Sequence, residues 1–213
     1  VDEIEQGLEP DRIVNIIKLF KNNNCGQMIL TTHSSHVICE CSHHQLRRVS
    51  QDHSKLWDFG DSFISVLRSL PEIFFAKKVL LTEGKTEVGL LRAIDSILVE
   101  NGDGFSQYGI ALGNCKGGDL FYQNAQLLKE QNVDVCIVCD NDVRTLGGKY
   151  QEAILKGITV IRWGSGNSLE EQVFQDVDHN TFIELIKLAY EINPGRNLLK
   201  EISLTDTDID TLT

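Results

Sequence analysis

Basic residues are scarce in this chain. Its 213 residues carry 20 Lys and Arg against 31 Asp and Glu, a formal net charge of −11. That balance argues against a broad basic groove as the main feature. Nucleic acid stays open as a partner, because carboxylates can hold phosphates through divalent cations bound between them. Long apolar runs are also missing. No stretch approaches the roughly 20 residues that span a bilayer, so no membrane association is expected. There is no secretory signal, and the six cysteines follow no paired spacing. A reduced, cytoplasmic compartment is the expectation. No internal repeat is visible. The chain opens at Val1-Asp2-Glu3 without a starting Met, in what reads as the end of a strand, and a fragment of a longer protein is expected. What is present is 41% hydrophobic content, enough for one sizeable core.

The pattern changes along the chain. Asp11 to Phe20 has helical apolar spacing, and Gln27 to Thr32 reads as a short buried strand. A polar, His-rich stretch follows to about His44. Leu46 to Val49 and Lys55 to Phe59 read as short strands, and Asp61 to Leu70 as a helix closed by Pro71. From about Phe74, strand and helix alternate. Strands are predicted over 78–82, 108–112, 133–139 and 158–163. Helices are predicted over 86–99, 119–131, 147–156, 168–175 and 180–191. Near-continuous apolar strands separated by helices predict an α/β fold: a parallel, Rossmann-like sheet with helices on both faces. Three segments are expected: 1–72, 73–178, and 179–213 with an acidic tail.

Sites in such sheets form outside the carboxyl ends of the strands. Acidic groups fall at those ends. Glu83 ends the first strand of the alternating region, and Glu87 follows one helical turn later. Asp140 ends the third strand, Asp142 is two residues on, and Glu170 lies in the first turn after the fourth. Gathered together, these charges repel. A divalent cation removes that penalty, and Mg²⁺ or Mn²⁺ favours oxygen ligands. Each acid also has a plainer reading. Glu83 or Glu87 alone suits a helix start, and Asp140-Asn141-Asp142 alone suits a turn. Glu171, three residues after Ser168, fits a capping box.

Phe74 to Leu91 (FFAKKVLLTEGKTEVGLL) with Val135 to Val143 (VCIVCDNDV) resembles a Toprim domain. A glutamate-glycine ends one strand there and an Asp-x-Asp ends a later one. Glu87 and Trp163 to Gln172 (WGSGNSLEEQ) resemble the nuclease branch. Upstream, VDEIEQGLEPDR resembles the Walker B end of an ABC-type ATPase, and QMILTTHSSHVI resembles the next strand with its switch histidine. The order, ABC-type ATPase then Toprim, resembles the OLD-family ATP-dependent endonucleases, among them the Gabija nuclease. The resemblance implies Glu83, Glu87, Asp140, Asp142 and Glu170 as ligands of two Mg²⁺ or Mn²⁺ ions. It implies Asp2, Glu3 and His33 in ATP hydrolysis. DNA cleavage by activated water, without a covalent tyrosine intermediate, would follow. It further implies DNA as partner, a homo-oligomer through the ATPase, a helicase partner and a role in phage defence. A non-catalytic scaffold or nucleotide sensor, or a primase- or topoisomerase-like Toprim, is the alternative.

The chain has no GxxxxGK[ST] loop, so ATP binding is expected in the full-length protein only. The family's downstream lysine has no motif-matched counterpart, although Lys187 and Lys200 are available. Lys85 and Lys116 are candidate phosphate contacts, the latter in a Gly-rich turn before a helix. His33, His36, Cys39, Cys41, His43 and His44 make a stretch dense in zinc-type donors. Their irregular spacing argues against a zinc site, and the switch role accounts for His33.

Overall fold

A computed structural model of the protein describes residues 1–23, 26–49, 54–115, 119–141, 148–164 and 166–192. The chain divides into two compact units, Val1–Arg162 and a second beginning at Trp163.

In the first unit, Pro10 opens helix α1 (Pro10–Asn22) at a position where its missing N–H costs nothing. The helical spacing of Ile13 and Ile17 buries both against Ile4 and against Val37 of α2 (Ser35–Glu40). The segment 27–32 is not a strand. It runs beside the chain start, with the Thr31 N–H donating to Val1 O at 3.0 Å and the Ile4 N–H to Thr31 O at 3.3 Å. Those few ladder bonds do not complete a strand, and Ile29 is 74% exposed. Strands β1 (Arg47–Val49) and β2 (Leu56–Asp58) pair antiparallel. The helix expected over 61–70 begins as a 3-10 turn, Asp61–Phe63, and continues as α3 (Ile64–Ser69). Pro71 then opens a second 3-10 turn, Pro71–Phe75.

Four strands follow, all parallel: β3 (Lys78–Thr82), β4 (Ile110–Asn114), β5 (Asp134–Cys139) and β6 (Thr159–Arg162), in the order β4-β3-β5-β6. They alternate with α4 (Lys85–Glu100), α5 (Asp119–Glu130) and α6 (Lys149–Leu155). The chain steps from β3 to β4 on one side and then crosses back over β3 to β5. Right-handed crossovers therefore put α4 on one face of the sheet and α5 and α6 on the other. Alternation along the strands sends Val79, Leu81, Val135, Ile137 and Cys139 into the main core with Phe121, Ala125 and Leu128 of α5. The same core takes in Phe59, Phe63, Val66, Leu70, Ile73 and Phe74 from upstream of the sheet. Phe59 meets Phe63 and Phe74 edge-on, each at 5.3 Å between centroids, an arrangement aromatic rings favour.

The second unit holds α7 (Leu169–Asp176) and α8 (His179–Ile192). Phe174 and Phe182 pack edge-on across them at 5.3 Å. Asp178 caps α8, accepting the Asn180 and Thr181 amides at 2.9 and 3.1 Å. Among the described residues, no helix is long and apolar enough to cross a membrane.

Candidate active site

The strand order singles out one place on the sheet. In an open parallel sheet the binding site lies at the carboxyl ends where the winding direction reverses. Here that point falls between β3 and β5. Thr82 pairs with Val138. Neighbouring strands are about 4.8 Å apart, so Glu83 lies across from Cys139, and Asp140 follows one residue beyond the end of β5. Glu83 is half-buried, with Oε2 shut off from solvent.

Cys139 reports on both acids. Burial pushes its thiol up to about 11, with the charges of Glu83 and Asp140 adding to the rise and Arg162 opposing it. Arg162 ends β6 and stacks its guanidinium 4.0 Å over the Tyr150 ring. Tyr122 is buried, its hydroxyl 3.9 Å from Cys139 Sγ. Burial first, then Cys139 and Glu83, raise its pKa strongly.

Glu87 is 5% exposed, and its Oε2 accepts the Gly84 N–H at 2.9 Å. It thus closes the first turn of α4 from the third helical position. Gly84 has φ −132°, ordinary extended backbone, so its role is not a tight bend. A Cβ at residue 84 would lie 2.9 Å from Glu87 Oε2; glycine makes room for that carboxylate. Thr82, fully buried, steadies the turn by donating to Gly84 O at 3.0 Å. Lys85, the first residue of α4, is exposed.

The acids at these strand ends offer carboxylate oxygens, which suit Mg²⁺ or Mn²⁺ better than a soft ion. Glu83, Glu87 and Asp140 do not all bring a ligand oxygen within 4.8 Å of one another. Asp142 and Lys116 lie outside the described residues. Glu170 belongs to the second unit, exposed in the first turn of α7. Beside it Glu171 acts structurally: its Oε2 accepts the Ser168 N–H at 2.8 Å, and Ser168 Oγ accepts the Glu171 N–H at 3.3 Å.

At the chain start, Asp2 accepts a hydrogen bond from the Thr31 hydroxyl, and the Glu3 N–H donates to the same oxygen at 2.8 Å. Glu3 holds a left-handed φ of +42°, a conformation that costs a non-glycine residue on the order of 1 kcal/mol. The sequence reading missed Glu5. Its carboxylate accepts the Thr32 hydroxyl at 2.8 Å and the His33 N–H, tying the acidic segment to the histidine. Burial pushes the Glu5 carboxyl up, but these hydrogen bonds outweigh it and the pKa is lowered. The signal was the second glutamate of Asp2-Glu3-Ile4-Glu5, opposite a Thr-Thr-His segment.

The family model for the Overcoming lysogenization defect protein-like TOPRIM domain matches residues 74–142. An AAA domain model, of the kind described for AbiEii of a type IV TA system, matches residues 1–39. The chain has the ATPase–Toprim arrangement of the OLD family. Its four-stranded parallel sheet with flanking helices is the Rossmann-like Toprim fold. No curated protein matches the chain. The OLD-like Toprim match covers β3, β4 and β5 and ends at Asp142, so it spans both acidic strand ends. The AAA match covers Asp2, Glu3, Glu5 and His33. Together they are the two parts of a nuclease–ATPase family.

Proposed function

We propose that this chain is the nuclease-bearing part of a divalent-metal-dependent DNA endonuclease whose activity an ATPase regulates. The observation that carries the reading is that Glu83 and Asp140 follow the carboxyl ends of the neighbouring strands β3 and β5, at the switch point of an OLD-like Toprim sheet. In this reading Glu83, Glu87, Asp140, Asp142 and Glu170 would be the ligands of two cations. Glu87 offers Oε1 while Oε2 holds the Gly84 amide. Bound ions supply an activated water and charge stabilisation for in-line displacement at phosphorus. In the same reading Lys85 and Lys116 are the contacts to the DNA backbone. Asp2, Glu3 and His33 act in ATP hydrolysis in the full-length protein, with Glu5 a positioning residue for His33. A homo-oligomer, a helicase partner and a role in phage defence belong to the same reading.

The test is plasmid nicking with Mn²⁺. Activity is expected from the parent and not from Asp140→Ala. Equal cleavage by the two would overturn the site. One observation favours a second reading, in which the Toprim unit is a non-catalytic scaffold: the Glu87 carboxylate already has a structural task. Calorimetry separates the two. Divalent-ion binding that requires Glu83 and Asp140 supports the nuclease, and its absence supports the scaffold.

A further inference from the structure

Away from the sheet, two imidazoles and a carboxylate come together between α2 and α3. His43 and His44 are neighbours in a 3-10 turn, His43–Gln45, with ring centroids 3.7 Å apart. Both aim Nε2 at one oxygen, Asp61 Oδ1, at 2.7 and 3.8 Å. The His43 side chain is 9% exposed. Its Nε2 lies outside hydrogen-bond geometry with Asp61 and makes no hydrogen bond. A buried imidazole nitrogen so placed is costly unless something else satisfies it.

We propose that His43, His44 and Asp61 form a binding site for a divalent transition-metal ion of the Zn²⁺ class. Zn²⁺ binds imidazole nitrogen and carboxylate oxygen at about 2.0–2.1 Å, which sets tetrahedral ligand atoms about 3.3 Å apart. The two observed separations bracket that value, so small side-chain rotations admit an ion. Three protein ligands leave a fourth position for water, and His44 and Asp61 are exposed enough to admit it. Nitrogen donors suit Zn²⁺ better than Mg²⁺ or Mn²⁺, so this site takes a different metal from the carboxylates at the strand ends.

The scaffold is firm on both sides. The Ser42 N–H donates to Gln45 Oε1 at 3.0 Å and Arg47 Nη1 to His44 O at 2.8 Å, which holds the histidine turn. Asp61 opens the turn whose Phe63 is buried in the main core. Bound metal would clip the segment after α2 to the start of α3, closing the loop that carries the β1–β2 hairpin. The remaining histidines and cysteines of the HSSHVICECSHH stretch do not join the cluster.

The test is titration of the chain with Zn²⁺ by calorimetry, and with Co²⁺ read by its visible ligand-field absorption. One equivalent is expected. His44→Ala and Asp61→Asn alter exposed side chains, so the fold survives, and each should weaken binding at least about tenfold. A Zn²⁺-dependent rise in melting temperature should vanish in both. Asp140→Ala should keep the site, which separates this proposal from the nuclease reading. The proposal is overturned if the parent binds no Zn²⁺ or if His44→Ala binds as well as the parent. It is overturned equally if Cys39→Ser with Cys41→Ser abolishes binding, or if a thiolate-to-cobalt charge-transfer band appears.

Discussion

Replacing Glu87 separates its capping role from any role in holding metal. Its buried carboxylate accepts the Gly84 N–H at 2.9 Å. Hydrogen bonds to charged groups contribute about 1.5–3 kcal/mol, and a carboxylate in the first helical turn adds about 0.3–1 kcal/mol through the dipole. Glu87→Ala deletes both and leaves the amide half-buried without its partner, so it should cost about 2–4 kcal/mol. In a chain of this length that is a fall of roughly 4–16 °C in melting temperature. Glu87→Gln keeps an acceptor of the same shape and loses only the charge, so it should cost about 1 kcal/mol. Urea unfolding followed by circular dichroism measures both. Mn²⁺-dependent nicking on the same samples reads the second role, and Glu87→Gln should lose activity far beyond its loss of stability. If Glu87→Ala proves as stable as the parent, the capping argument is wrong. If Glu87→Gln nicks at the parental rate, Glu87 is a cap and not a ligand.

Further outcomes follow from other sites. A Cβ at Gly113 would lie 2.7 Å from Leu81 Cδ2, and Leu81 is fully buried; Gly113→Ala should cost about 1–3 kcal/mol in urea unfolding. Burial pushes the Cys115 and Cys139 thiols up to about 11, so iodoacetamide at mildly alkaline pH should label exposed Cys39 well before either, by mass spectrometry. The lowered pKa of Glu5 has a pH signature. A depressed carboxyl stabilises the fold above its unfolded value, and that contribution is lost as pH falls through the folded one. Exchange protection of the His33 amide should fade below the ordinary glutamate range, and Glu5→Gln should remove that step.

The sheet was legible because its strands are apolar almost throughout and its helices carry separate, clear periods. β3 emerges over the predicted residues, and the others shift by one or two at their ends, where turns compete with pairing. The expected strand 27–32 failed because periodicity cannot register how many ladder partners a segment will find. Glu83 and Asp140 were readable from strand ends, since a parallel sheet gathers those ends at one edge. The capping task of Glu87 was hidden, because the same glutamate one turn into a helix suits either role. Glu5 and Asp61 were missed for a shared reason. Each matters through a partner distant in sequence, Glu5 through His33 and Asp61 through His43, and local pattern carries no trace of that partner.

The common core of the 59–74 region and the sheet sets where the Toprim part of this chain can be cut. A gene fusion that borrowed this chain from residue 73 onward would carry off the acidic strand ends. It would leave behind Phe63, Val66 and Leu70, which belong to the same core as Leu81, Val135 and Ile137, and open that core to solvent. A portable piece that keeps this core whole therefore reaches back to about Phe59 and takes the aromatic trio with it.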